Sequence, residues 1–205
     1  GPDHRSTLIA RDHLADTYWE AGRLDEAITL KKQILADAMG IMGPDSPGAS
    51  AARNSLAATY RDAGRLDEAV NMLKQNLDDV TRLEGPHHPH ALTARNQLAG
   101  AYRDAGRLDE AIPLFEQNLT DFIRILGPDR PDTFTSRSTL ASAYREAGRL
   151  DEAIPLFEQN LEDRTCTLGP GHPVTLTSRG NLAGAYRAAG RFEDAEKLFG
   201  TAREF

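Results

Sequence analysis

The sequence predicts an all-α fold, an α-solenoid of five helical hairpins with about ten antiparallel helices. Three observations carry this. The stretch GRLDEAI begins at Gly22 and recurs unchanged at Gly106 and Gly148, with near copies GRLDEAV at Gly64 and GRFEDAE at Gly190. These glycines are a constant 42 residues apart, with no insertion or deletion, and self-similarity at a fixed period marks an array that grows by stacking. Between the copies, apolar residues fall three and four apart, the spacing of one helical face.

Each unit opens on a Gly-Pro linker: GPDHR, GPDSP, GPHHP, GPDRP and GPGHP. The units are residues 1–42, 43–84, 85–126, 127–168 and 169–205, read as one array over 1–205. The second proline of a linker (Pro47, Pro89, Pro131, Pro173) starts helix A, because a residue without an N–H fits the first turn. In the third unit, helix A is expected over about residues 89–104, with Ala91, Leu92, Ala94, Leu98, Ala99 and Tyr102 inward. Gly106 ends it, glycine being the residue that takes a left-handed C-terminal conformation most easily.

Helix B restarts at Leu108, where Asp109 and Glu110 place negative charge on the first turn and its free N–H groups. Leu108, Ala111, Ile112, Phe115, Leu119, Phe122 and Leu126 form its apolar stripe. Pro113 and Pro155 sit about one turn inside helix B, where each removes one early hydrogen bond without breaking the helix. Asn76, Asn118 and Asn160 fall on the stripe, and a buried amide must find partners, so bonds to an adjacent helix are expected.

The balance of 24 basic against 31 acidic residues, net −7, disfavours nucleic acid and an anionic membrane surface as partners. No apolar stretch is long enough to span a bilayer, and no signal-peptide pattern opens the chain. Cys166 is alone, which excludes an internal disulfide and points to a reducing, cytoplasmic setting. There is no Walker A sequence and no nucleophile, base and oxyanion set, so no catalytic residue, no cofactor and no enzymatic activity are expected. His87, His88 and His90 cluster in GPHHPH, but no acid or cysteine pattern completes a metal site beside them. Helix capping is the expected role, and no metal is assigned.

The hairpin residues resemble the tetratricopeptide repeat. Leu98, Ala99, Tyr102, Gly106, Leu108, Ala111 and Phe115 match its pattern, and all five units carry the core of it. The 42-residue period departs from the usual 34. With its linker it looks like the repeats of kinesin light chains and of arrays on bacterial NB-ARC-type signalling ATPases. The resemblance implies a right-handed superhelix whose concave, helix-A groove binds a protein or extended peptide. If an ATPase precedes the array, it implies a sensor or regulatory arm. The near identity of units looks like recent duplication or consensus design. Because the chain begins and ends in repeat phase, it reads as a piece of a longer array, although Gly1-Pro2 could equally be a cleavage scar.

By homologous position, the groove carries Trp19, Arg61, Arg103, Arg145 and Arg187, with Asn54, Asn96 and Ser138 beside them and Asp12, Asp16 and Ser142 varying nearby. Two readings stand for the arginines. They capture carboxylates of an acidic peptide while Asn54 and Asn96 bond its backbone, or they pair with Asp62, Asp104, Glu146 and neighbouring repeats. Trp19 is a ligand contact, a join to a preceding repeat, or a packing residue. A second ladder, Arg53, Arg95, Arg137 and Arg179 against Asp37, Asp79, Asp121 and Asp163, is read as structural, with pairings Asp37–Arg53, Asp79–Arg95, Asp121–Arg137 and Asp163–Arg179 between repeats. The competing function is self-assembly, because near-identical units with uncapped ends can stack into a homo-oligomer. A small-molecule site is disfavoured by the polar, open lining.

Overall fold

A computed structural model describes residues 5–200, with side chains from residue 7 onward. The Gly1-Pro2-Asp3-His4 opening therefore lies outside the described residues. Among the described residues the chain is helical throughout, without strands. The helices are α1 Arg5–Glu20, α2 Leu24–Met42, α3 Pro47–Asp62, α4 Leu66–Glu84, α5 Pro89–Asp104, α6 Leu108–Leu126, α7 Pro131–Glu146, α8 Leu150–Leu168, α9 Pro173–Ala188 and α10 Phe192–Gly200. The all-α hairpin repeat is thus as the sequence predicts. Helix A of the third unit has the expected bounds, and Pro113 and Pro155 lie inside unbroken helices.

The chain divides into two compact units, Gly1–Arg107 and Leu108–Phe205. In the first, α1 to α5 each pack on their neighbours in the chain. In the second, α6 to α10 do the same, and α7 also touches α9. The cores are made of the predicted columns: Ala27, Ala69, Ala111, Ala153 and Ala195 at the start of every helix B are fully buried or nearly so. Leu126 departs from the expected stripe, being 40% exposed. In the first unit one cluster joins Ile28, Leu56, Tyr60 and Ala69, and another joins Leu8, Ile34 and Ala38.

The recurring joint is a Schellman motif in all five copies. At the first, the Gly22 N–H donates to Trp19 O and the Arg23 N–H to Tyr18 O, each at 2.9 Å. Gly22 has φ 73°, a conformation that L side chains resist. The contact that usually closes such a motif is hydrophobic. Here it is an arginine over a tyrosine: Arg23 over Tyr18, Arg65 over Tyr60, Arg107 over Tyr102, Arg149 over Tyr144 and Arg191 over Tyr186, 4.3 to 4.9 Å from the ring centroids. Arg23, Arg65 and Arg149 also hold Glu26, Glu68 and Glu152, and Arg191 holds Asp194, on the first turn of helix B. The joint thus closes helix A and opens helix B with one side chain.

At the linkers, Ser46 Oγ accepts the Ala49 N–H, while His88 and His172 Nδ1 accept the N–H groups of His90 and Val174. The capping expected within GPHHPH is therefore realised at His88, and His172, which the sequence did not single out, caps α9 in the same way.

Candidate functional site

The helix-A ladder has a partner rule. Trp19 Nε1–H donates to Asp62 Oδ2 at 2.6 Å, and Arg61 Nε–H to Asp104 Oδ2 at 2.8 Å. Trp19 and Arg61 thus each reach the acid that follows the ladder position in the next repeat. Arg103 also lies 3.9 Å from Asp104. Arg61 is thus paired with a neighbouring repeat, and Trp19 makes a bond to Asp62 that none of its three expected roles included. In the fifth repeat the acid is replaced by Ala188, and among the described residues no acid pairs with Arg145. Its guanidinium lies 5.8 Å from the Phe157 ring centroid and spreads over Gly184, where an added Cβ would meet Nη1 at 3.2 Å. Arg187 is exposed and likewise has no acid among the described residues.

Asp12 and Asp16 are occupied from below. Lys31 Nζ, 4% exposed as a residue, donates to Asp16 at 2.7 Å, Asp12 at 3.3 Å and Ser55 at 2.7 Å. Lys31 stands where the sibling repeats bury Leu73, Phe115 and Phe157. Sequence reasoning missed it, although a charge in an otherwise apolar column was there to be seen. Arg164 is a second such case, against Ala38, Val80 and Phe122. It is 7% exposed and donates to Ser178 Oγ at 2.9 Å. Burial first, and then the nearby Arg137 charge, hold its pKa below the usual arginine value. A cleft of about 360 Å³ opens beside the first cluster, lined by Asp16, Trp19, Lys31, Ser55 and Asp62.

The asparagines divide. Asn76 Nδ2–H donates to Asn54 Oδ1 at 2.9 Å, so the expected bond to an adjacent helix forms and the Asn54 oxygen is engaged within the protein. These two line a cavity of about 180 Å³ with Val80 and Ala94. The equivalent seam of the first repeat, about 190 Å³, has Ile34 where the second has Asn76 and is lined mainly by apolar side chains such as Leu8 and Ala38, together with Asp12 and Ser55. Asn96 is exposed. Asn160 is fully buried with neither amide atom hydrogen-bonded, because the residue matching Asn54 is the shorter Ser138.

The second ladder corrects the expected register. Ion pairs form at Arg11–Asp37, 2.6 Å, at Arg53–Asp79, 3.2 Å, and at Arg137–Asp163. Each lies inside one hairpin, so Asp37–Arg53, Asp79–Arg95, Asp121–Arg137 and Asp163–Arg179 do not describe the fold. Arg95 and Arg179 donate to the linker carbonyls of Pro86 and Pro170, and Asp121 accepts from Arg124. The spacing is degenerate. Arg11 lies eleven residues before Gly22 and Asp37 fifteen after it, while Asp37 lies six before Gly43 and Arg53 ten after it. Both routes leave an offset of four residues, about 6 Å along a helix. The face that Asp37 presents decides, and it looks back at its own helix A.

The linker between α4 and α5 supplies what the sequence lacked for a metal group. Glu84, on the last residue of α4, meets His88 and His90, with the three donor atoms within 4.8 Å of one another. Among the described residues no helix is long and apolar enough to cross a membrane.

Comparisons with known proteins agree with this geometry. A family model described as tetratricopeptide repeat matches residues 48–117, 90–165 and 132–205, and another of that description matches 13–74. A crystal structure from Podosopora anserina, described as a kinesin light chain with nearly identical TPR-like repeats, is 32% identical with a TM-score of 0.85, covering 98% of this chain and 95% of that one. BtubC from P. vanneervenii, at 21% identity and TM-score 0.77, covers 98% and 82%. The apo form of RapI, at 12% and 0.75, covers 94% of this chain and 52% of that one. The last two show likeness of fold alone. No curated protein matches.

Proposed function

The chain belongs to the tetratricopeptide repeat family, whose members serve generally as protein-interaction scaffolds, and from that premise we propose that it binds an acidic peptide segment through Arg145 and Arg187. The observation that carries this is Ala188. Along the ladder each arginine or tryptophan is matched by an acid one repeat on, and that match stops where Ala188 stands. The Arg145 guanidinium is then left for a ligand's carboxylate, which a planar fork binds in bidentate fashion, and Arg187, exposed one repeat on, is the second cation of this helix-A ladder. Gly184 leaves room for the Arg145 guanidinium, and Ser138 and Ser142 are small enough to let a chain approach. Trp19, Arg61 and Asn54 drop out as primary contacts because each already has a partner. No catalytic role is assigned, and the unbroken 42-residue period supports reading residues 1–205 as one array. Within a longer signalling ATPase, it would be the sensor or regulatory arm, acting in the cytoplasm.

The test is fluorescence anisotropy with a labelled acidic peptide. Arg145→Ala and Arg187→Ala should each weaken binding at least about tenfold, the scale of a charge-assisted hydrogen bond, and Arg61→Ala less than about twofold. Equal affinity in all three variants would overturn the assignment.

A second reading, self-assembly, is favoured by apolar side chains left uncovered on the outermost described helices: Ile9 and Leu14 on α1, Phe192 and Phe199 on α10, 46 to 63% exposed. Light scattering that gives a monomer mass at every concentration would end it.

A further inference from the structure

We propose that Glu84, His88 and His90 form a binding site for a divalent transition cation of the zinc class. His88 Nδ1 lies 2.5 Å and His90 Nδ1 2.9 Å from the same carboxylate oxygen, Glu84 Oε2, and His90 Nδ1 is 3.2 Å from Oε1. Two imidazole nitrogens and a carboxylate therefore converge on one point. Donors held about 2.0–2.2 Å from a zinc ion stand roughly 3–4 Å apart, a spacing that exposed side chains reach from here by small rotations. The side chains are 31 to 63% exposed, so an ion can enter without opening the fold. The mixed nitrogen and oxygen set suits zinc, nickel or copper rather than calcium or magnesium. Three protein ligands leave a coordination position for water or for a side chain of a partner.

The repeats serve as internal controls for this assignment. The position of Glu84 is Met42, Leu126 or Leu168 in the other linkers, and that of His90 is Gly48, Asp132 or Val174. The His88 position is Ser46, Arg130 or His172. Capping explains a histidine at 172, where no acid accompanies it. It does not explain why, beside His88 and not beside His172, glutamate replaces an apolar residue and a further histidine stands at position 90. The backbone holds all three on fixed frames: Glu84 ends α4, His88 is the N-cap residue of α5, and His90 lies in its first turn. Binding an ion would turn the His88 Nδ1 lone pair from the His90 N–H, 3.3 Å away, to the metal. A bound ion would staple the end of α4 to the start of α5.

The experiment is calorimetric titration of the intact, chelator-treated chain with zinc chloride. One equivalent should bind with micromolar affinity, and the thermal midpoint of unfolding should rise with zinc. Glu84→Leu, His88→Ser and His90→Val each borrow a residue that a sibling linker tolerates. His88→Ser also keeps a capping oxygen, as at Ser46. Each should bind at least tenfold more weakly and lose the thermal shift with unchanged helicity, while His172→Ser should behave as the parent. No saturable binding, or binding that survives Glu84→Leu and His90→Val at parental strength, would overturn the site.

Discussion

Lys31 offers a quantitative test of how the first repeat is held. Its ammonium group is buried, while its partners Asp12 and Asp16 are 42% and 53% exposed at their side chains. Replacing Lys31 by leucine, as at Leu73, buries an apolar side chain worth about 1.5–3 kcal/mol and removes the desolvation of an ion, several kcal/mol in general. What is lost are bonds to carboxylates that water reaches already. What remains is Asp12 against Asp16, four residues apart on one helix, a repulsion of about 0.2–0.5 kcal/mol. Changing these to Asn and Ala, the residues of the second repeat at Asn54 and Ala58, relieves it. The triple variant Lys31→Leu, Asp12→Asn, Asp16→Ala should therefore be more stable by about 1–3 kcal/mol, and melt about 2–10 °C higher for a chain of this size. Lys31→Ala should instead cost about 2–4 kcal/mol, through the cavity it leaves. Urea unfolding followed by far-UV circular dichroism reads both. A triple variant less stable than the parent by 1 kcal/mol or more, with the denaturant slope unchanged, would show that the ionic cluster outweighs apolar packing and would refute this reasoning.

Other outcomes follow from the same geometry. The Tyr144 hydroxyl donates to Glu116 at 2.5 Å and the Tyr186 hydroxyl to Glu158 at 2.6 Å, and burial, helped by these carboxylates, pushes both phenols up to about 12. A raised phenol pKa favours the neutral form in the fold. Its contribution, about 1–3 kcal/mol apiece, is present below pH 10 and lost as pH rises toward 12; Tyr144→Phe with Tyr186→Phe should flatten stability against pH over that window. Gly64→Ala, at φ 71°, should cost about 1–2 kcal/mol, whereas Gly40→Ala, inside α2 with no atom within 4 Å of the added Cβ, should stabilise by about 0.5–1 kcal/mol; equal shifts in urea midpoint would contradict the joint geometry. A double-mutant cycle should give coupling above about 1 kcal/mol for Arg53 with Asp79, since Arg53 is buried, and none for Arg53 with Asp37.

The fold was legible because helix period, Gly-Pro punctuation and the repeated joint point the same way in every unit. Helix A of the third repeat could be bounded to the residue for this reason: Pro89 and Gly106 act locally. The ion-pair register was not legible, because two partners for Asp37 lie at the same helical offset and only the rotation of α2 separates them. Of the groove residues, Trp19 and Arg61 could be placed on one face but not assigned, since their acids lie 43 residues on. Lys31 and Arg164 are legible in the sequence as charges at repeat positions that the sibling units fill with apolar residues. Glu84 escaped because Gly85 and Pro86 separate it from the histidines in sequence while the linker folds it back onto them.

The arginine–tyrosine closure of each joint bears on how the chain acquires its structure. Arg23 contacts Tyr18 five residues behind and Glu26 three ahead, and its equivalents in the other units stack on tyrosine in the same way. Such interactions require almost no loop closure, so they can form before any repeat has met its neighbour. The chain thus contains five equivalent starting points for folding, with no reason in the joint itself for one to precede another. Weakening one by an Arg→Ala substitution should slow folding little, because the route moves to an intact joint. Only the disabling of several should expose a common barrier.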